Sequence, residues 1–333
     1  MAKKNKGAKG YVIGVDLGGT KILTALVDQE GRIVAETKRP TEAAEGPAKV
    51  ISRLAKTVKT VLKEAGVSIK KVQAIGVGAP GPLNPESGVI LNAPNLPGWE
   101  EVHLAELLAK ETGLPTFIEN DVNVGTYGEF RLGAGQGVQD LVGIFVGTGV
   151  GGGLIVDGKL RSGFRHAAAE VGHMVVIADG PLCGCGARGC LEAVASRTAI
   201  VRDIAGAIRA GRKSIITELV GNKIEEITSG VLAEAAQRGD ELTLEVLSKA
   251  QYYLGILVAN IVNLFDPEMV VLGGGVVEAL GPPFLEPIRR TARDYFFAKE
   301  DMDKVQIVPA KLGDYAGVLG VAMLAWERMM EKK

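Results

Sequence analysis

The residues able to do chemistry are clustered, and the densest cluster is sulfur. All three cysteines fall within eight residues, as Cys183-x-Cys185-x4-Cys190, and His173 lies nine intervening residues upstream. Three thiols and one imidazole make a complete tetrahedral set for Zn²⁺. Gly184, Gly186 and Gly189 would let the chain wrap tightly around one ion. All four positions would be filled by protein, so this spacing predicts a structural zinc rather than a hydrolytic one. A redox pair or buried free thiols are the alternatives, and a Cys-x-Cys pair lacks the usual two-residue redox spacing.

Glycine forms the second group of candidates. Its 45 residues are enriched directly after apolar runs: Asp16-Leu17-Gly18-Gly19-Thr20-Lys21, Gly147-Thr148-Gly149-Val150-Gly151 and Gly273-Gly274-Gly275. Without a Cβ, successive N–H groups can converge on an anion. Thr20 adds a hydroxyl, Lys21 a cation, and Asp16 a carboxylate for Mg²⁺. Any one of these turns could be a plain hairpin; three of them beside Asp16 and Lys21 point to phosphate. Two look-alikes fail on context. Gly147-x-Gly149-x-x-Gly152 matches a dinucleotide fingerprint, but strand-like Leu154-Ile155-Val156 follows where a helix is needed. Gly206 to Ser214 has P-loop spacing, but Arg212 replaces the lysine and the segment closes a helix.

The elements that must hold these residues repeat. Tyr11 to Val15, Ile22 to Val27 and Arg32 to Lys38 read as a strand meander, followed by a helix from Pro47 to Glu64 ending at Gly66 and a buried strand, Val72 to Gly78. His103 to Glu111 reads as a helix, Pro115 to Glu119 as a strand, and Val122 to Leu132 as a helix capped by Asn120 or Asp121. Leu141 to Val146, Gly152 to Val156 and the Asp157-Gly158 turn then restart the pattern, with Gly147 in the place of Asp16. Met269 to Leu272 runs into its glycines as the earlier strand ran into Ala79-Pro80-Gly81. Two duplicated α/β domains with a cleft between them are expected: a smaller one from 1–120 plus 314–333, to which the helix at Asp314 to Met330 returns, and a larger one from 121–313 carrying the cysteine loop.

Bulk properties narrow the function. The 333 residues hold 38 Lys+Arg against 39 Asp+Glu, a formal charge of -1, which argues against nucleic acid as the main partner. The lysines of MAKKNKGAKG are followed by no apolar core of a leader. Ala250 to Phe265 falls short of the ~20 residues of a bilayer span and reads as a buried helix. An odd cysteine count in a long chain favours a reduced, cytoplasmic setting.

Together, the DLGGTK turn at Asp16 to Lys21, the Glu119-Asn120-Asp121 step, Glu170-Val-Gly-His173 and CGCGARGCLE from Cys183 to Glu192 resemble the ROK family of sugar kinases over nearly the whole chain. Within that family the likeness is greatest to the bacterial ATP-dependent glucokinases. The resemblance implies the actin-like, hexokinase-like fold and transfer of phosphate from ATP to a hexose, glucose first among them, with fructose, allose and N-acetylmannosamine as alternatives. It assigns Asp121 as the base that accepts the sugar hydroxyl's proton. Asn120, Glu170, His173 and Glu192 match sugar-binding positions, with Gly81 and Asn95 lining the pocket. If one ring nitrogen of His173 binds zinc, the other would meet a sugar hydroxyl in a fixed tautomer. The family also contains transcriptional repressors, but these carry an N-terminal helix-turn-helix module, and only ten residues precede the first strand here. Leu254 to Phe265 and the family habit imply a homodimer or homotetramer.

Overall fold

The computed structural model describes residues 10–93, 95–221 and 223–331. The N-terminal lysines, on which the absence of a leader was argued, lie outside them. Strands β1 (Tyr11–Leu17), β2 (Lys21–Val27) and β3 (Ile33–Pro40) form the expected meander. Helix α1 (Pro47–Ala65) buries Val50, Ile51, Leu54, Val58, Val61 and Leu62, a stripe at helical spacing. It stops at Gly66, whose φ of 62° closes the helix in the left-handed region. Strand β4 (Val72–Ala79) follows. A small antiparallel sheet of β5 (Leu83–Asn84), β6 (Val89–Asn92) and β7 (Glu100–Val102) was not expected, since its strands are too short to show a period. Helix α2 (Leu104–Thr112), strand β8 (Thr116–Asn120) and helix α3 (Asp121–Leu132) complete the run, and the main sheet has the order β3-β2-β1-β4-β8.

The second half repeats this plan. Strands β9 (Leu141–Val146), β10 (Val150–Val156) and β11 (Lys159–Leu160) form its meander. The helices α4 (Glu192–Ala195), α5 (Arg197–Arg209), α6 (Ile216–Val220), α7 (Ser229–Gln237) and α8 (Glu241–Phe265) precede β12 (Met269–Gly273). After α9 (Gly275–Leu280) and α10 (Pro282–Asp294), β13 (Gln306–Pro309) closes a sheet of order β11-β10-β9-β12-β13. In each sheet the first strand pairs antiparallel with the second and parallel with the fourth.

The register corrects one equivalence. The last rung of the first hairpin is Leu17 with Ile22, and that of the second is Val146 with Val150. Phe145, not Gly147, therefore stands where Asp16 stands, and Gly147 matches Gly18. Only the first unit carries a carboxylate at that rung.

Helix α11 (Ala316–Glu331) returns to the first unit, as expected. It lies against β1, β4 and α3 through glycines that permit backbone contact: a Cβ at Gly14 would stand 2.1 Å from Val318 O, and one at Gly320 1.8 Å from Val124 O. This packing moves the boundary placed after residue 120. Contacts group 1–136, 160–168 and 314–333 as one unit and 137–159 with 169–313 as the other, because α3 shares its buried face with α11. The α8 segment is not buried throughout, since Tyr252, Leu264 and Phe265 are exposed. Among the described residues no helix is long and apolar enough to cross a membrane.

Candidate functional site

In the first unit, Asp16 ends β1 and Asp121 opens α3 immediately after β8. Burial and the Asp121 carboxylate push the Asp16 carboxyl up to about 6, Lys21 pulling the other way. The two acids are thus electrostatic neighbours. Lys21 Nζ pairs with Asp314 Oδ2 at 3.0 Å, and Lys38 lies 3.7 Å from the same oxygen. The hydrogen-bonded lysine holds the Asp314 carboxyl below its usual range. The Gly18-Gly19-Thr20 turn is fixed by its own backbone: Gly18 N–H donates to Lys21 O at 3.0 Å, and Thr41 Oγ1 donates to Gly18 O at 2.6 Å. A Cβ at Gly19 would lie 3.0 Å from Asn95 O, so glycine lets the Asn95 loop approach the turn. Gly81 lies beside Asn120, a Cβ there being 3.4 Å from Asn120 Nδ2.

Of the two possible caps, Asn120 is the one used: its Oδ1 accepts from Val122 N–H at 2.9 Å and Asn123 N–H at 3.1 Å. Asp121 is the first helical residue, with Oδ1 accepting from Val122 N–H at 2.9 Å. Capping by the neighbour fixes the step on which Asp121 stands.

In the second unit, the His173, Cys183, Cys185 and Cys190 ligand atoms all lie within 4.8 Å of one another. Cys185 Sγ and Cys190 Sγ are 3.7 Å apart, and Cys183 Sγ is 3.6 Å from His173 Nδ1. A zinc tetrahedron with Zn–S of about 2.3 Å and Zn–N of about 2.0–2.1 Å has edges of about 3.8 Å and 3.6 Å. The donor set therefore fits the ion. Burial pushes the Cys190 thiol up to about 12, which makes a thiolate there dependent on a cation. Gly186 and Gly189, with φ of 91° and 77°, make the loop's turns.

Glu170 and His173 flank the short 3-10 turn Val171–His173, and His173 N–H donates to Glu170 O at 3.0 Å. Glu192, at the start of α4, reaches back: Oε2 accepts from Val150 N–H at 3.0 Å, and Oε1 lies 3.8 Å from Cys183 Sγ. A Cβ at Gly149 would stand 2.3 Å from Glu192 Oε2. The glycine turn expected to hold phosphate thus also seats a carboxylate expected to hold sugar. Gly151 lies outside that turn, inside β10 opposite Phe145. Thr148 Oγ1 accepts from Arg197 Nη2 at 2.9 Å. Gly273 ends β12, and Gly274, with φ of 87°, caps α9; a Cβ there would meet Val146 O at 2.6 Å.

Comparison with known proteins follows the same lines. The ROK family profile matches residues 12–328. The chain belongs to the ROK family. It is 37% identical over 318 residues to a glucokinase of Thermotoga maritima, covering 96% of this chain and 98% of that one. The crystal structure of a ROK family glucokinase from Streptomyces griseus in complex with glucose and AMPPNP superposes with a TM-score of 0.82 at 36% identity, covering 96% of this chain and all (100%) of that one. A xylose repressor of Caldicellulosiruptor bescii is 34% identical, over 95% of this chain and 78% of its own length.

Three residues of this ROK chain escaped the sequence reading. Glu119 was noted only as part of a motif, Arg197 binds the Gly147–Gly149 turn, and Asp314 holds Lys21. The only local signal for any of them was the adjacency of Glu119 to Asn120. Lys21 and Asp314 are 293 positions apart, and no periodicity spans that distance.

Proposed function

We propose that the protein transfers the γ-phosphoryl group of ATP to a hexose hydroxyl, with glucose as acceptor and glucose 6-phosphate and ADP as products. The observation that carries this reading is the pair of carboxylates, Asp16 and Asp121, next to a glycine turn. One is raised by burial and is placed to hold a divalent cation; the other stands at the capped start of α3. The similarity to glucokinases over nearly the full length supports the acceptor.

A sugar hydroxyl is a weak nucleophile, so a carboxylate that takes its proton as the oxygen attacks phosphorus lowers the barrier. Asp121 is assigned that role. The O–H bond breaks towards Asp121, the new P–O bond forms, and the electron pair of the old one leaves with ADP. Lys21 and the N–H groups of the Gly18–Thr20 and Gly147–Gly149 turns would neutralise phosphate charge, Lys21 exchanging Asp314 for phosphate. Asp16 would hold Mg²⁺, whose contribution is charge neutralisation on the phosphates. Gly273 to Gly275 would lie nearer the nucleoside.

Asn120, Glu170 and Glu192 would each supply acceptors for sugar hydroxyls, with Gly81 beside Asn120 and Asn95 beside the Gly19 turn as further sugar-contacting positions. His173, Cys183, Cys185 and Cys190 would hold Zn²⁺, which supplies rigidity rather than chemistry. Nδ1 of His173 faces the Cys183 sulfur; were it to bind zinc, Nε2 would be the nitrogen left to meet a sugar hydroxyl. The free thiols fit a reducing, cytoplasmic setting. The exposed Tyr252, Leu264 and Phe265 support association into a homodimer or homotetramer.

The test is ADP release in Mg-ATP with glucose, mannose, fructose, allose, glucosamine and N-acetylmannosamine, run with Asp121→Asn alongside. A preference for glucose that vanishes in the variant supports both reaction and base. Glucose binding without phosphorylation of any sugar would refute the kinase reading.

A further inference from the structure

Glu119, the residue before the Asn120–Asp121 step, is 1% exposed and is paired with Arg328. It is held from two sides. Arg328 on α11 donates through Nη2 to Glu119 Oε2 at 2.9 Å and through Nη1 to Ile118 O at 3.1 Å. The other oxygen, Oε1, accepts from Asn120 N–H and from Asn123 Nδ2, each at 3.1 Å. Asn123 makes this contact at a cost, because its Oδ1 is buried with no hydrogen-bond partner among the described residues.

A buried ion pair is a poor source of stability, since desolvating both charges cancels most of their attraction. Its value here is geometric. Strand β8 is the edge of its sheet and pairs there with β4. Arg328 binds the edge strand's backbone at Ile118 and its side chain at Glu119. Glu119 in turn pins the Asn120 N–H and, through Asn123, the first turn of α3. Asn120 is then set to cap that turn, which fixes the start of the helix on which Asp121 stands.

We propose that Glu119 and Arg328 form a positioning pair that fixes the Asn120–Asp121 step for proton transfer, an inference that rests on the kinase reading above. Neither residue touches the reacting atoms. The competing explanation is that the pair merely anchors α11 to the sheet, in which case its loss would lower thermal stability and leave turnover per folded molecule intact.

The experiment compares Glu119→Gln, Arg328→Met and Arg328→Lys with wild type in the full chain, measuring kcat, both KM values and amide hydrogen exchange. Glu119→Gln keeps an acceptor but removes the charge, and Arg328→Met removes the donor fork. Each is expected to lower kcat roughly tenfold or more while KM for ATP stays within about twofold. Arg328→Lys, which keeps the charge, should recover to within about threefold of wild type. The double variant should be no worse than the worse single one, because both act through one contact. In Glu119→Gln and Arg328→Met the amides of Asn120, Val122 and Asn123 should exchange roughly tenfold faster. Lower melting temperatures with unchanged kcat, and unchanged exchange at those three amides, would overturn the proposal. If wild type phosphorylates no sugar, the kinase reading fails by itself, and the exchange data still decide whether the pair fixes the step.

Discussion

Gly149→Ala separates the role of Glu192 from the integrity of the fold. The new Cβ would stand 2.3 Å from Glu192 Oε2, so one of them must move by about 1 Å to regain ordinary contact. The obstacle is the far end of a flexible side chain, not backbone, so the carboxylate yields and the hairpin survives. The movement breaks the 3.0 Å hydrogen bond from Val150 N–H and takes Oε2 out of its seat. A hydrogen bond to a charged group contributes about 1.5–3 kcal/mol. If Glu192 accepts from a sugar hydroxyl, glucose affinity should fall roughly 10- to 150-fold, with about 1.5–3 kcal/mol lost in stability from the broken Val150 bond. The assay is calorimetric titration of glucose without nucleotide, with a thermal melt of the same sample. Gly147→Ala is the control on the same turn, because a Cβ there meets nothing within 4 Å; its glucose affinity should match wild type. Equal affinity in Gly149→Ala and wild type would refute the placement of Glu192 in the sugar site.

Three further outcomes are expected. Asp16, whose carboxyl is pushed up to about 6 in the folded chain by burial, binds more protons folded than unfolded, so its ionisation costs stability above pH ~6 and the cost is relieved as pH falls from about 6 towards 4. Asp16→Asn should therefore stabilise the metal-free protein by about 2–3 kcal/mol at pH 8 and by almost nothing at pH 4, read by denaturant unfolding at both pH values, while abolishing turnover. Ala169, next to Glu170, has a φ of 62°, a left-handed backbone that costs a residue with a Cβ about 1–2 kcal/mol; Ala169→Gly should raise stability by up to ~1 kcal/mol, and a lower melting temperature would contradict that strain. Metal analysis should find zinc bound to wild type and absent from Cys183→Ser/Cys190→Ser. Chelation should lower both the melting temperature and glucose affinity, and a chelated protein with native affinity would show that zinc does not order the sugar residues.

Much of the fold was legible because its signals are local. Helix α1 shows a stripe at helical spacing and a terminal glycine, the meanders show strand, turn and strand, and the histidine and three cysteines that cluster in the fold sit at recognisable spacings. What was missed lacks such signals. The strands of the β5–β7 sheet are two to four residues long, too short for a period. The contact grouping runs on through α3 to residue 136 rather than ending at 120, because α3 is packed by α11, far along the chain. Glu119 looked like part of a motif, and its burial, which makes its charge informative, depends on Arg328.

The sequence by itself determined the order of elements, the twofold repeat, the cluster of one histidine and three cysteines, and the family, since each rests on residue type and short spacing. Tertiary structure alone decided which residues meet: Arg328 with Glu119 across 209 positions, Asp314 with Lys21, Gly149 with Glu192, and Phe145 rather than Gly147 at the rung of Asp16. Hydrogen-bond register and helix packing set those pairings, and both are settled by burial of whole faces at once, which leaves no mark on any one stretch of chain.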